Sequence, residues 1–314
     1  METRLLRGKK IADQIKSEVA DEIADLKRMD LVPGLAAVLV GEHPASRLYV
    51  RSKTRTCAEL GMHSEPIELP DGTTTEELLQ VIGRLNRADE IDGILVQLPL
   101  PGHVDEERVL QAVHPAKDVD GFHPLNVGKL CSGRPGLVPC TPVGILEMLK
   151  REGIRLKGAE AVVVGRSNIV GKPMAQLLLQ QHCTVTLCHS RTRDLAAVCR
   201  RADLLVVAIG RPALVTGEYL KPGVVVVDVG MNRIESRRRA VELFGENSPR
   251  LPRFDERGYT LVGDVHPRQS IGIAAAVTPV PGGVGPLTIA QLMKNTVLAC
   301  RMRRLGSGRA VGSP

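Results

Sequence analysis

The chain has 314 residues, 43% of them hydrophobic and 25% charged, a balance that fits two globular domains and excludes a wholly disordered protein. Its net charge is +7, but aromatic residues make up only 2% and tryptophan is absent, which argues against a binder that stacks single-stranded bases. No run approaches the roughly eighteen uninterrupted apolar residues of a membrane span, and the seven scattered cysteines contain no C-x-x-C pair, so neither a zinc ribbon nor a disulfide framework is indicated.

Ile11, Ile15, Val19, Ile23 and Leu26 recur at helical spacing and predict one buried helix face. Residues 35–40 form a continuous apolar run ended by Gly41, a strand covered on both sides. Pro44 opens a helix that should stop at Gly61, and Thr74 with Glu77 forms a capping box before a helix over 78–85. A strand over 91–98, closed by Pro99, follows; alternation of this kind predicts a parallel sheet. After a Gly/Pro-rich connection over 114–139 and a helix over 141–152, four apolar strands begin at Ala161, Thr184, Leu204 and Val224, about twenty residues apart, the rhythm of a doubly wound dinucleotide fold. Residues 234–258 are polar, rich in arginine and without clear periodicity, and are read as a surface excursion. A helix over 287–304 ends the pattern and is expected to return to the first domain.

The expected fold is therefore α/β with two domains. Residues 1–145, completed by the C-terminal helix 286–305, form an N-terminal α/β substrate domain. Residues 146–285 form a Rossmann-like doubly wound domain, and 306–314 form a disordered tail. Each cysteine is expected to be a small buried hydrophobe in a reducing, cytoplasmic setting.

Gly165-Arg166-Ser167 and Gly171 lie between a strand and a helix, where unpaired amides and a helix N-terminus suit a pyrophosphate. The spacing is not G-x-G-x-x-G, and a structural turn is the plain alternative. At the end of the next strand the chain reads His189-Ser190-Arg191, where NAD-specific sites place a carboxylate. A guanidinium with a hydroxyl suits a 2′-phosphate, so NADP is the expected cofactor with Arg166 and Ser190 as its readers, against a solvated arginine and a strand-end serine. In the first half, Tyr49 and Lys53 stand at i, i+4 on one helix face, and Gln97 sits at the carboxyl end of a strand. Asp118 and Asp120 could pair on a metal, but no third ligand stands at suitable spacing, and no metal is expected. Taken singly, each of these residues favours a plain structural reading, such as a solvated lysine or a strand-end cap.

Taken together, Tyr49-Val-Arg-Ser-Lys53, Val96-Gln97-Leu98-Pro99, Lys117-Asp-Val-Asp120-Gly, Gly165-Arg-Ser167 with Val170-Gly-Lys-Pro173, and Pro279-Val-Pro-Gly-Gly-Val-Gly285 resemble the bifunctional bacterial type of methylenetetrahydrofolate dehydrogenase/methenyltetrahydrofolate cyclohydrolase. The resemblance runs from Gly8 to about Ala299. It implies that Lys53 is the catalytic amine, that Gln97 positions it and sets its basicity, that Tyr49 lines the folate rings, and that Asp120 accepts hydrogen bonds from the pterin. It also implies Val96, Leu98 and the loop Pro281, Gly282, Gly283, Val284 and Gly285 as folate contacts, and Met231 as a backbone contact to the nicotinamide end. Folate and NADP would meet at one site between the domains of a homodimer. The segment 234–258 is longer than the family's pattern at this place. Two rival readings remain at this stage: an NADP dehydrogenase of another small substrate, of the shikimate type, and a basic module that binds nucleic acid.

Overall fold

The computed structural model describes residues 2–306, so the tail expected over 306–314 lies, but for Gly306, outside the described residues. In chain order the elements are β1 (Arg4–Leu5), α1 (Gly8–Lys27), β2 (Gly34–Val40), α2 (Pro44–Leu60), β3 (His63–Leu69), α3 (Thr75–Arg87), β4 (Gly93–Val96), α4 (Glu106–Ala112), α5 (Pro124–Cys131) and α6 (Cys140–Arg151). They continue with β5 (Glu160–Val164), α7 (Gly171–Gln180), β6 (Thr184–Cys188), α8 (Leu195–Cys199), β7 (Leu204–Val207), β8 (Val225–Asp228), β9 (Asn232–Ile234), α9 (Arg237–Phe244), α10 (Leu251–Arg257), β10 (Thr260–Val262), β11 (Ala276–Val277) and α11 (Gly285–Arg304). The chain divides into two compact units, one of Met1–Ile11 with Thr141–Thr288, the other of Ala12–Cys140 with Ile289–Pro314.

The second of these units is built on a three-stranded parallel sheet in the order β3-β2-β4. Central β2 is buried at every residue, as its unbroken apolar run requires. Leu78, Ile82 and Leu85 of α3 pack with Ala36, Val38 and Val96 in the core of this unit. The start of α3 carries the anticipated capping box: Thr74 Oγ1 accepts from the Glu77 amide and the Glu77 carboxylate accepts from the Thr74 amide. Replacing Thr74 with Ala should lower stability by about 1 kcal/mol, read as a shifted urea midpoint with unchanged slope.

The helix α11 returns to this unit, as expected. Asn295 Nδ2 donates to the Val119 and Val138 carbonyls at 2.8 and 2.9 Å. Near its end Arg303 and Arg304 converge on Asp92, which is fully buried; Arg304 engages both carboxylate oxygens at 2.9 and 2.8 Å. Two guanidiniums around one desolvated carboxylate fix the helix in register, since leaving that charge unpaired would be costly.

The other unit holds a six-stranded parallel sheet in the order β1-β11-β8-β7-β5-β6. Four of its strands are those anticipated. The other two, β1 and β11, come from the chain's N-terminus and from the segment before α11, and they pair Arg4 with Ala276 and Leu5 with Val277. Hence the segment up to Ile11, read with the substrate domain from sequence, falls in the compact unit of this sheet, which resumes at Thr141. Counted from β5, the strand order is 2-1-3-4-5, the flavodoxin-like variant of the doubly wound plan.

The segment 234–258 is not irregular. It carries α9 and α10 on an antiparallel ribbon of β9 and β10, and Ala240, Leu243, Leu251 and Phe254 form a small core with Ala213, Ile234 and Val262. The connection 114–139 likewise contains α5. Six cysteines are buried, but Cys131 is exposed, contrary to the uniform expectation. Among the described residues, no helix is long and apolar enough to cross a membrane.

Candidate active site

In the unit built on β2, the helix α2 begins with a proline in its first turn and ends at Gly61 in the left-handed conformation, so its length and phase are set at both ends. Four residues apart, Tyr49 and Lys53 share one face. Lys53 is buried at 7% exposure, whereas Tyr49 keeps 37% of its surface exposed. Lys53 Nζ donates to Gln97 Oε1 at 2.9 Å, and Gln97 Nε2 donates to the Leu98 carbonyl at 2.7 Å. That second bond orients the amide so that its oxygen faces the amine. Gln97 is placed in turn by its own amide, which donates to the Val38 carbonyl at 2.8 Å and carries the ladder between β2 and β4 one residue beyond Val96.

Asp120 reaches the same place by a different route. The Ile94 amide donates to the Lys117 carbonyl at 2.7 Å, pinning the 117–121 segment along β4. Asp118 then locks the turn: its carboxylate accepts from the amides of Phe122 and His123 and from Asn126 Nδ2, the last two at 2.8 Å. With its oxygens occupied in this way, Asp118 is a structural residue rather than half of a metal pair.

Burial lowers the pKa of Lys53, and the neighbouring Asp120 opposes that shift. Burial pushes the Asp120 carboxyl up to about 6, against the pull of Lys53. The result is an amine that loses its proton more readily than a solvated lysine, beside a carboxylate charged at neutral pH. Burial also raises the Tyr49 phenol, which stays protonated.

Cys140, read from sequence only as a buried hydrophobe, is close enough to Lys53 and Asp120 for their charges to act on it. Its thiol, pushed well above its ordinary value by burial, donates to the Val119 carbonyl at 3.3 Å. Asn295 of α11 donates to that same carbonyl. Neither residue carried a sequence signal, because each is recruited from more than 20 positions away in the chain.

In the unit built on the six-stranded sheet, Gly165, Arg166 and Ser167 follow β5, at the edge of the β5/β7 pair where the strand order reverses. Open α/β sheets bind ligands outside the carboxyl ends of strands at this point. The glycines there are dictated by packing: a Cβ on Gly165 would collide with the Ala208 carbonyl, and one on Gly171 with the Gly165 carbonyl. The turn can thus bring a phosphate close to backbone, which is the cradle a dinucleotide needs. Arg166 and Ser190 are exposed. Ser167 Oγ accepts from the Val170 and Gly171 amides, both at 3.2 Å, so it caps the amides at the start of α7. Met231 is 43% exposed in the loop after β8, and Pro281 and Gly282 are exposed in the loop after β11.

Two buried carboxylates organise this end of the sheet and were not singled out from sequence. Asp264 Oδ2 accepts from the Ile209 and Gly210 amides at 2.7 and 2.9 Å, and its Oδ1 accepts from Asn232 Nδ2 at 2.9 Å. Asp228 accepts from the amides of Gly230, Asp264 and Val265. Burial pushes Asp228 up to about 7 against the pull of those amides. These bonds hold the loops after β7 and β8, the first of which stands at the strand-order reversal.

Comparison with known proteins agrees with this geometry. Residues 6–120 match the family model of the tetrahydrofolate dehydrogenase/cyclohydrolase catalytic domain, and residues 139–304 match that of the tetrahydrofolate dehydrogenase/cyclohydrolase NAD(P)-binding domain. The bifunctional protein FolD of Koribacter versatilis is 56% identical over 300 residues, spanning 96% of this chain and 97% of the relative. A bifunctional FolD methylenetetrahydrofolate dehydrogenase/cyclohydrolase crystal structure from Campylobacter jejuni superposes with a TM-score of 0.86 at 43% identity, covering 96% of this chain and 99% of that one. The Trypanosoma brucei methylenetetrahydrofolate dehydrogenase-cyclohydrolase, solved with NADP cofactor and inhibitor, gives a TM-score of 0.86 at 37% identity over 96% of this chain and 98% of that one. With both family models matched in order and relatives of this identity along nearly its whole length, the chain belongs to the tetrahydrofolate dehydrogenase/cyclohydrolase family.

Proposed function

We propose that this enzyme oxidises 5,10-methylenetetrahydrofolate to the 5,10-methenyl form with NADP and then hydrolyses that product to 10-formyltetrahydrofolate. The observation that carries the reading is the buried Lys53 amine, held by Gln97 and facing the influence of Asp120. NADP, when bound, accepts the hydride from the methylene carbon, a step that asks for contact and alignment rather than for an acid or base. Hydrolysis is different. Water adds to the methenyl carbon, Lys53 takes its proton, and cleavage of the carbon–N5 bond with return of a proton leaves the formyl group on N10.

Within this reading Tyr49, Val96, Leu98 and the 281–285 loop line the folate, and Asp120 accepts hydrogen bonds from the pterin. Gly165, Arg166, Ser167, Ser190 and Met231 hold NADP, with Arg166 and Ser190 on the 2′-phosphate. The 12–140 unit is the folate-binding catalytic domain and the six-stranded unit the NADP-binding domain. The protein acts in the cytoplasm as a homodimer.

The test is a spectrophotometric assay with methylenetetrahydrofolate and either nicotinamide cofactor, with the methenyl product trapped in acid. Turnover with NADP and loss of the methenyl signal at neutral pH are expected; NADP reduction without hydrolysis would leave only a dehydrogenase of the same substrate. In the same assay Arg166→Ala should raise the KM for NADP by roughly 10–100-fold, the worth of charge-assisted hydrogen bonds to a phosphate, and that for NAD by no more than about twofold. Equal losses for both cofactors would remove Arg166 from the 2′-phosphate.

A further inference from the structure

The segment 234–258 holds an arginine that reaches out of it. Arg250, half-buried at the start of α10, donates through Nη1 to the Leu261 carbonyl at 2.9 Å and through Nη2 to the Val280 carbonyl at 2.7 Å. Its guanidinium lies 4.4 Å from the centroid of the Phe244 ring, stacked on it. Leu251 and Phe254, the neighbours that anchor α10, are buried in the segment's own core. The arginine is therefore presented by a packed scaffold rather than by a flexible loop.

Val280 immediately precedes Pro281 in the Gly/Pro loop. Around it the Gly283 amide donates to the Pro279 carbonyl at 2.8 Å, the Gly8 amide to the Gly282 carbonyl at 3.0 Å and the Leu287 amide to the Val284 carbonyl at 3.0 Å, while Thr278 is tied to β8 through the Val226 carbonyl at 3.1 Å and through its hydroxyl, which accepts from the Asp228 amide at 2.8 Å. Pro279 and Pro281 have no amide hydrogen to contribute. Arg250 supplies the restraint at the centre of the stretch, with a planar fork that spans two carbonyls at once.

We infer that Arg250 is a positioning residue for folate: the helical segment 234–258 exists in this enzyme to brace the 281–285 loop through the Val280 carbonyl. The inference rests on the assignment of that loop to the folate. A lysine can satisfy one of the two carbonyls and a methionine neither, although both keep the aliphatic stem over Phe244.

The test uses the full-length enzyme. In the ligand-free protein, amides of residues 280–285 in Arg250→Met should exchange hydrogen roughly 10-fold faster than in the wild type, and those in Arg250→Lys by a smaller factor, as expected for loss of two and of one charge-assisted bond. In steady state the KM for methylenetetrahydrofolate should rise about tenfold in Arg250→Met, with the KM for NADP within about twofold, and recover in part in Arg250→Lys. Arg237→Ala, which breaks only the exposed pair with Asp255 inside the segment, should change neither quantity. Unchanged exchange in the 280–285 amides overturns the inference, whatever the kinetics. Faster exchange with an unchanged folate KM shows instead that the loop does not face folate, and overturns both that assignment and the inference built on it. Should Arg250→Met fail to fold, Arg250→Lys alone decides by the same two readouts.

Discussion

Replacing Lys53 with methionine should lower hydrolysis of the methenyl substrate by roughly 10²–10⁴-fold, the usual worth of a positioned general base, while hydride transfer to NADP continues at a rate within about tenfold of the wild type. The split follows from the chemistry, because only the hydrolytic step requires a proton to be taken from water. Loss of fold does not explain such a result. Lys53 is buried with its pKa lowered in the native state, so the unfolded chain binds its proton more tightly than the folded one does. Below that lowered pKa the group therefore costs stability, and the cost is relieved as pH rises toward the lysine's ordinary value. Methionine removes that cost, and the melting temperature of the variant should be equal to or above that of the wild type. Intact hydrolysis in Lys53→Met would remove the amine from the mechanism.

The pH dependence carries a second sign. Hydrolysis should rise with pH as Lys53 loses its proton. The charge on Asp120, whose carboxyl titrates at about 6, holds that proton on. Asp120→Asn removes the charge, so the ascending limb of the hydrolysis profile should move to lower pH even where loss of the proposed pterin contact lowers the maximum. A limb that stays in place or moves upward would mean that the two groups do not interact.

Asp264→Ala should cost about 3–5 kcal/mol, the penalty for leaving three buried donors without their acceptor. Two of those donors, the Ile209 and Gly210 amides, belong to the loop at the strand-order reversal. The affinity for NADP should fall with that loop's order, by about tenfold or more, while the affinity for folate, proposed to bind the other unit, changes little. Asparagine is a poor substitute because every partner of Asp264 is an N–H donor, so its amide nitrogen must face one of them. Calorimetry and NADP titration check the two parts, and a melting point unchanged from the wild type would show that Asp264 holds nothing in place.

Much of the chemistry could be read along the chain because it is local. The i, i+4 spacing of Tyr49 and Lys53 needs only a helix, and Pro44 and Gly61 mark that helix at both ends. Gln97 was legible because a buried strand ends there, and the capping box at Thr74 because its two partners lie three residues apart. What escaped the sequence is equally specific. The strands β1 and β11 have two residues each, too few for any period to show, and exist because Arg4 and Leu5 find Ala276 and Val277 across the chain. The apolar positions of α9 and α10 are divided between two short helices among arginines, so neither half shows a periodic face until they pack against Ala213, Ile234 and Val262.

The sequence by itself determined the α/β class and the order of most helices and strands, while the amine, the amide and the carboxylate proposed to act on folate were implied by the family resemblance of their motifs. Hydrophobic period, caps and turn residues are properties of neighbours in the chain, and they survive without knowledge of the fold. Only the tertiary structure decided that the pKa of Lys53 is lowered, which carbonyls Arg250 grips, that Asp228 and Asp264 hold the loops after β7 and β8, and that Cys140 and Asn295 meet at the Val119 carbonyl beside Asp120. Those properties depend on desolvation and on donors brought from distant positions, and both come into being only when the chain closes on itself.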